Sequence, residues 1–135
     1  MPRNYIADSS ALVALLSRDD QHHDWIAVQT DTLPWPWLTC EAVVSEALFL
    51  LHEPYARALK KLLRQGHLRL GLNLADELVQ VLDLSDKYAD VPMSLADACL
   101  VRMSETLPDP VVLTTDADFK IYRRHSRQVV PCLLP

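Results

Sequence analysis

The fold is decided by residues 5–16, which read YIADSSALVALL. The first of these, Tyr5 to Ala7, are apolar and β-prone, whereas the run that follows has the length and composition of a helix. A serine between the two parts, Ser9 or Ser10, is a good helix N-cap. The pattern therefore predicts a strand, a tight turn and a helix, with Asp8 at the turn.

The position of Asp8 is the first functional indication in the sequence. In an open α/β sheet, the carboxyl ends of the parallel strands line the crevice in which ligands bind. A carboxylate at such a strand end meets the acids that other strands and helices bring to the same edge. Further acids in comparable positions would therefore form one site with Asp8.

The composition is typical of one domain. Of the 135 residues, 50% are hydrophobic and only two are glycine, which argues against disorder or a fibrous repeat. We therefore expect a single domain over residues 1–135. No apolar run reaches membrane-spanning length, and residues 1–4 lack the apolar core of a signal peptide. The expected location is the cytoplasm, without a membrane partner.

Charge and cysteine content exclude some classes of protein. The formal net charge of −5 does not indicate a strongly basic nucleic-acid binder, but it fits a chain that concentrates carboxylates to hold a metal. Cys40, Cys99 and Cys132 are odd in number, widely separated and set among apolar residues. They are predicted to be small core residues rather than a disulfide framework or a zinc site.

Glu46 is the second acid of interest. Residues 40–51 are predicted to form a helix that is apolar nearly all round beyond its first turn and therefore buried. The neighbours of Glu46 one turn away are apolar, namely Ala42, Val43, Phe49 and Leu50. An ionised carboxylate in such surroundings is costly unless it is paired or binds a cation. We favour a functional role over a buried salt bridge.

Asp97 has two interpretations. Ser94 followed three residues later by an acid resembles a capping box, in which the acid accepts a hydrogen bond from the backbone of the cap. The box prefers Glu or Gln, however, and the residues around Asp97 are unusually apolar for an acid with a purely structural role. A capping role and a functional role both remain open from the local sequence.

Asp116 occupies the same kind of place as Asp8. The apolar run Val111 to Thr114 is typical of a buried parallel strand, and Asp116 follows it just before a predicted helix. Asp118 lies in the first turn of that helix, where the helix dipole alone would favour an acid.

Three further segments carry weaker predictions. Residues 67–74 alternate leucine with polar or small residues, which predicts a half-buried strand at an edge or in a covering hairpin. Residues 129–133 are predicted to be the last strand, and Pro131 favours an edge position. The polar segment around residues 22–24, HHD, is interpreted as a solvated turn rather than a metal site.

Strands that alternate with helices predict an α/β fold with a mainly parallel sheet and right-handed crossovers. No nucleophile elbow, glycine-rich phosphate loop or histidine-containing metal motif competes with the acids. Carboxylate oxygens suit Mg²⁺ or Mn²⁺, which hold phosphate oxygens and activate water. The acids that would form this site are Asp8, Glu46, Asp97 and Asp116.

Four blocks of the sequence resemble the signature blocks of the PIN domain, in the same order and spacing and over essentially the whole chain. They are IADSS at 6–10, the predicted helix within 39–51, SLADA at 94–98 and VLTTDADF at 112–119. The resemblance implies a three-layer α/β/α fold and a Mg²⁺- or Mn²⁺-dependent ribonuclease. Short single-domain members are often VapC-like toxins of type II toxin–antitoxin pairs, which implies a small antitoxin as a partner.

The resemblance also implies roles for individual residues. The acidic quartet of the family is matched by Asp8, Glu46, Asp97 and Asp116. The three aspartates would bind the metal directly or through water, whereas Glu46 would orient a water molecule or bind a second ion.

Further residues match the family less regularly. Asp118 corresponds to a fifth acid and Ser10 to a hydroxyl residue near the first acid. The implied substrate is single-stranded RNA. Its backbone would be contacted by basic residues for which the candidates are Lys120, Arg123, Arg124 and Arg127.

Two alternatives and an assembly state complete the predictions. A PIN-like module that acts only through protein association would keep the fold without catalysis, although the intact quartet speaks against it. A phosphoryl-transfer domain would require a second acid two residues after Asp8, where Ser10 stands. The apolar helices before and after Pro54 predict a homodimer.

Overall fold

The computed structural model describes residues 3–135, which form a central parallel sheet, a small hairpin and six α-helices. The strands are β1 (Asn4–Ala7), β2 (Trp37–Thr39), β3 (Leu68–Leu70), β4 (Pro110–Leu113), β5 (Arg123–Arg124), β6 (Gln128–Val129) and β7 (Cys132–Leu133). The helices are α1 (Ser9–Leu16), α2 (His23–Thr30), α3 (Glu41–Leu50), α4 (Tyr55–Arg64), α5 (Leu74–Lys87) and α6 (Leu95–Thr106). A short 3-10 helix, Ala117–Lys120, follows β4.

The central sheet has the strand order β3-β2-β1-β4-β7, and all its pairs are parallel. The chain moves outward from β1 to β3 and then returns to the other side of β1, so right-handed crossovers place α1 to α4 on one face and α5 and α6 on the other. The packing agrees, because α1 contacts α2, α3 and α4, whereas α5 packs on α6. The predicted three-layer α/β/α fold is confirmed.

The reversal of strand order places the ends of β1 and β4 side by side. Ile6 lies beside Val112 in the register of these two strands, and the backbone N–H of Asp8 donates to the carbonyl of Leu113 at 3.0 Å. In sheets of this kind, the ligand crevice lies outside the carboxyl ends of the strands at the point of reversal. The segments that follow β1 and β4 therefore begin next to each other at that edge.

The core is made by large side chains from the sheet and from both helical layers. Trp37 of β2, Leu12 of α1 and Tyr122 after the 3-10 helix are all fully buried. Cys40 and Cys99 are buried as free thiols, as the sequence predicted, and Cys132 is half-buried. Within residues 3–135, no helix has the length and apolar character of a membrane span.

The prediction that α3 is buried nearly all round is wrong. Val43 and Ala47 are its only fully buried residues, whereas Phe49 is 87% exposed and Leu50 is 50% exposed. The helix lies in an outer layer, where its contacts with α1 and α6 cover one side. An apolar composition does not specify how many neighbours cover a helix.

The two predicted edge strands do lie at the edges, but both are short. β3 ends at Leu70, and α5 begins at Leu74 because the side chain of Asn73 caps it by accepting from the N–H of Asp76. The predicted last strand is divided in two at Pro131: β6 pairs antiparallel with β5, and only β7 joins the central sheet. Proline lacks the N–H that a continuous ladder would require.

Candidate active site

One cavity, of about 310 Å³, contains all four acids that the sequence singled out. Its wall includes Asp8 after β1, Glu46 of α3, Asp97 of α6 and Asp116 after β4. These residues lie far apart in the sequence, and the strand order brings their segments to one edge of the sheet. The four predicted residues therefore share the wall of one cavity.

Asp8 is the most deeply placed of the four acids, with only 4% of its surface exposed. Its carboxylate accepts hydrogen bonds from the backbone N–H of Ser9 at 2.7 Å and from the hydroxyl of Thr114 at 2.7 Å. Asp8 is thus also the N-cap of α1, a role that the sequence assigned to Ser9 or Ser10. One carboxylate both starts the helix and faces the cavity.

Burial raises the pKa of Asp8 to about 6. The hydrogen bond from Thr114 opposes this shift, whereas the charges of Asp97 and Glu46 add to it. Desolvation penalises the ionised form, and nearby like charges penalise it further. The carboxylate is therefore poorly stabilised as an anion by the protein alone.

Thr114 connects the acids that follow β1 and β4. Its hydroxyl donates to Asp8 Oδ2 and accepts from the backbone N–H of Asp116 at 3.0 Å. Ser10 lies beside it, donating to Asp8 Oδ2 at 3.3 Å and accepting from the N–H of Thr115 at 3.0 Å. The two hydroxyl groups hold the ends of β1 and β4 in fixed relative positions.

Asp97 takes part in the N-cap of α6 and also lines the cavity. Its backbone N–H donates to Ser94 Oγ at 3.0 Å, so the serine caps α6, while its carboxylate Oδ2 accepts from the hydroxyl of Tyr122 at 2.9 Å. Burial raises the pKa of Asp97, and the Tyr122 hydroxyl acts in the opposite direction. Burial and the charge of Asp97 also raise the pKa of Tyr122, which therefore stays a protonated donor.

Glu46 lines the cavity, but not for the reason inferred from the sequence. Its side chain is exposed rather than surrounded by apolar neighbours, because this side of α3 faces solvent. The residue nevertheless lines the cavity together with Leu50, one turn further along the helix. Its predicted position at the site is observed, although the physical reason given for it is wrong.

The chain was compared with known proteins. The family model described as PIN domain matches residues 5–124, which is most of the chain. The chain belongs to the PIN domain family. The family and the fold predicted from the four sequence blocks are confirmed. No curated protein matched the sequence.

Two solved structures show the same fold as this PIN domain. The crystal structure of Mycobacterium tuberculosis VapC20, described as a Sarcin-Ricin loop cleaving toxin, superposes with a TM-score of 0.79 at 20% identity, covering 87% of this chain and 94% of that one. The crystal structure of PAE2754 from Pyrobaculum aerophilum gives a TM-score of 0.51 at 24% identity, covering 87% and 84%. Because both sequence identities are below 25%, these similarities show a shared fold and nothing more.

The remaining predicted site residues of the PIN domain lie outside the cavity wall, except for Ser10. Asp118 is half-buried, and its backbone N–H donates to Asp116 Oδ1 at 2.9 Å. The guanidinium of Arg123 donates to the carbonyl of Lys120 at 2.7 Å and to that of Tyr122 at 2.9 Å. Arg124 similarly donates to the carbonyl of Ser104. Both arginines therefore have structural partners.

Lys120 and Arg127 differ from these two arginines, because both are exposed. They lie in the 3-10 helix after Asp116 and in the hairpin that follows it. Their amino and guanidinium groups can therefore meet a nucleic-acid backbone without first breaking a bond that holds the fold.

Some residues at the site were not identified from the sequence, among them Asp20, whose Oδ1 accepts from the backbone N–H of His22 at 2.8 Å. Thr114 lies in the quoted block VLTTDADF, and its place at a strand end between two acids is the signal that could have indicated it. His22 lines the cavity, although residues 22–24 were interpreted as a solvated turn. Its neighbour His23 points elsewhere, with Nδ1 at 2.7 Å from the carbonyl of Ala14. Adjacent histidines thus have different surroundings, as expected for an irregular segment.

A larger groove, of about 690 Å³, lies between α3, α4 and β3. Its lining is mainly leucine and valine, with Glu41 and Arg69 as its charged members. Because it contains no group of acids, the smaller cavity is the better candidate for chemistry.

The donor set of the acidic cavity fits a hard divalent cation. Its wall holds five acidic residues, Asp20 being the fifth, and carboxylate oxygens are the ligands that Mg²⁺ and Mn²⁺ prefer. Burial leaves at least Asp8 and Asp97 poorly stabilised as anions. Among residues 3–135, however, no three acidic, histidine or cysteine side chains are already arranged as a set that could hold a metal ion.

The raised pKa of Asp8 predicts a specific pH dependence of stability in a chelating buffer. Since the pKa rises from 3.8 in the unfolded chain to about 6 in the folded protein, the native state binds more protons between these values. The free energy of unfolding should then increase by about 2–3 kcal/mol as pH falls from 7.5 toward 4, and decrease as pH rises through 6.

Urea unfolding at a series of pH values measures this effect. The Asp8→Asn variant should show a flatter profile, with the smaller contribution of Asp97 remaining. Asp86→Asn, an equal change of charge at an exposed position on α5, should keep the slope of the parent protein. Parallel profiles for the parent protein and Asp8→Asn would contradict the pKa assignment.

Proposed function

We propose that this PIN domain is a Mg²⁺- or Mn²⁺-dependent endoribonuclease that hydrolyses phosphodiester bonds in single-stranded RNA. The observation that carries the proposal is that the four predicted acids, together with Asp20, line one cavity at the reversal point of the sheet. Oxygen donors of this kind select Mg²⁺ or Mn²⁺ over metals that prefer nitrogen or sulfur ligands.

Each acid has a role in the proposed mechanism. Asp8, Asp97 and Asp116 hold the cation, directly or through water, and their own hydrogen bonds fix where their carboxylates lie. When bound, the cation supplies charge that polarises the phosphate and lowers the pKa of water. Glu46, the exposed acid, orients a water molecule for attack on phosphorus or binds a second cation.

A bound cation would also reduce the charge repulsion between the protein and RNA. The chain carries a formal net charge of −5 and groups five acidic residues around the cavity, so an RNA phosphate meets an unfavourable field there. A divalent cation in the cavity reduces this repulsion. If it binds the native state and not the unfolded state, it also stabilises the fold.

The similarity in fold to VapC20 supports a more specific role. That protein is described as a Sarcin-Ricin loop cleaving toxin. We propose that this chain is likewise the toxin of a type II toxin–antitoxin pair, acts on RNA in the cytoplasm and is bound by a small antitoxin protein.

The alternative function is a catalytically inactive PIN-like module that acts through protein association. The buried position of Asp8 argues against it, because a carboxylate with a raised pKa lowers stability near neutral pH, whereas a serine or asparagine could cap α1 without that cost. Metal-dependent cleavage separates the two functions.

A homodimer is proposed as the assembly state. On α3, the neighbouring residues Phe49 and Leu50 are 87% and 50% exposed. Apolar side chains grouped on the surface of a small domain are typical of an association surface.

The first prediction concerns metal-dependent cleavage. Excess chelator should abolish cleavage of a single-stranded RNA oligonucleotide, and added Mn²⁺ should restore it. Asp8→Asn and Asp116→Asn should each lower the rate by about 100-fold or more, since a lost ligand removes several kcal/mol of transition-state stabilisation. Asp86→Asn, outside the cavity, should cleave normally.

The controls separate the possible outcomes of this test. Undiminished cleavage by both cavity variants, in protein free of contaminating nuclease, would remove these residues from the mechanism. A folded parent protein that is inactive with Mn²⁺ on varied RNA sequences would favour the association module.

The second prediction concerns the RNA backbone. In an inactive Asp116→Asn background, Lys120→Ala and Arg127→Ala should each weaken RNA binding, measured by fluorescence anisotropy. Each should also reduce the slope of log affinity against log salt by about 0.7, the value for one phosphate contact on a single strand. Lys60→Ala, an exposed lysine on α4, is the matched control. Equal slopes for all variants would place the RNA path elsewhere.

The third prediction concerns assembly. Sedimentation at micromolar concentration should give a dimer, and Phe49→Glu should shift it toward monomer because the new charge would be buried at the interface. Val28→Glu, at a 62% exposed position on α2, should leave the dimer intact. A monomeric parent protein would contradict the proposal.

A further inference from the structure

Tyr122 lies outside the wall of the acidic cavity, yet its hydroxyl reaches one of the cavity acids. The side chain is fully buried, and its hydroxyl donates to Asp97 Oδ2 at 2.9 Å. The two residues come from different parts of the fold, since Asp97 is in the first turn of α6 and Tyr122 follows the 3-10 helix. The hydrogen bond therefore ties the α6 acid to the segment that also carries Asp116.

The ring of Tyr122 is fixed by its surroundings. It makes edge-to-face contacts with Tyr88, at 5.1 Å between ring centroids, and with Phe119, at 5.2 Å. Its backbone N–H donates to the carbonyl of Asp118 at 3.2 Å. Because the ring and backbone are both restrained, the hydroxyl has a defined position.

A defined donor restricts the carboxylate that it contacts. The terminal torsion of an aspartate is otherwise broad, so the plane of its carboxylate is easily rotated. A hydrogen bond to Oδ2 fixes that plane and with it the direction of the second oxygen of Asp97. Groups that orient metal ligands in this way commonly change metal affinity by about 10-fold to 100-fold when removed.

We infer that Tyr122 is a positioning residue whose hydroxyl orients the Asp97 carboxylate for cation binding. This inference rests on the proposed function, because it assigns Tyr122 to the same cation site. Tyr122 itself contacts neither RNA nor the reacting atoms in this assignment. Its contribution is made through the orientation of Asp97.

Tyr88 provides a matched control within the same aromatic cluster. It is also a buried tyrosine in contact with the Tyr122 ring, but its hydroxyl accepts from the backbone N–H of Arg123 at 2.9 Å. Tyr88→Phe and Tyr122→Phe therefore each remove one hydrogen-bonded hydroxyl from the cluster. Only the second change removes a donor to Asp97.

The test measures Mn²⁺ affinity by calorimetric titration, without reference to activity. Tyr122→Phe should raise the Mn²⁺ dissociation constant about 10-fold or more, whereas Tyr88→Phe should stay within about twofold of the parent protein. In an Asp97→Asn background, Tyr122→Phe should cause no further loss, because the group that it orients is already changed. The Mn²⁺ concentration for half-maximal RNA cleavage should rise in parallel with the dissociation constant.

A purely structural role for Tyr122 is tested with a destabilised variant. Tyr88→Leu disturbs the same cluster without removing the donor to Asp97. Thermal melts in chelator compare the stability of Tyr88→Leu with that of Tyr122→Phe. If Tyr122→Phe binds Mn²⁺ as Tyr88→Phe does, or loses no more affinity than an equally unstable Tyr88→Leu, the inference is overturned.

The proposed function can fail separately from this inference. A parent protein that neither binds Mn²⁺ nor cleaves RNA would overturn both. A parent protein that binds and cleaves, together with a Tyr122→Phe variant of unchanged affinity, would overturn only the role of Tyr122.

Discussion

The hydrogen bond between Thr114 and the buried carboxylate of Asp8 joins the two central strands at the point where strand order reverses. On one side, the same carboxylate caps α1 through Ser9. On the other side, the hydroxyl of Thr114 accepts from the backbone N–H of Asp116 and so fixes the position of that acid. The Asp8 carboxylate and the Thr114 hydroxyl thus fix the sheet register, the start of α1 and the positions of two acids.

This arrangement also has an electrostatic consequence. Burial and neighbouring acids raise the pKa of Asp8 to about 6, so at neutral pH the folded protein bears the cost of an ionised group in a poor environment. Hydroxyl donors reduce that cost without removing it, since a neutral donor does not cancel the charge. A cation that binds only the native state, as proposed, would offset this cost, and stability and proposed activity would be coupled for this reason.

The sequence predicted the fold, and it also identified the acids, although not always for valid reasons. Asp8 and Asp116 were found because a short apolar run before an acid marks a strand end, and that rule depends only on local sequence. Glu46 was found because its apolar neighbours suggested a buried side chain, but Glu46, Phe49 and Leu50 are all exposed. Local composition cannot specify which side of an outer helix is covered. Here the resemblance to the PIN domain was the sounder guide.

Other features could not be predicted because they depend on pairs that are distant in sequence. Tyr122 and Asp97 meet across 25 positions, and Ser10 and Thr114 across 104. Hydropathy periodicity carries no information about such pairs. The division of the last predicted strand at Pro131 similarly depends on which partners, β4 or β5, are available on each side of it.

The distance in sequence between β1 and β4 has a consequence for protein synthesis. Asp8 follows β1, but the residue that completes its surroundings, Thr114, follows β4 and is made 106 positions later. Parallel pairing between remote segments is also slow to form. A partly made chain therefore carries all but one of the cavity acids without an assembled cavity. The cavity acids therefore come together only after β4 has been synthesised and has paired with β1.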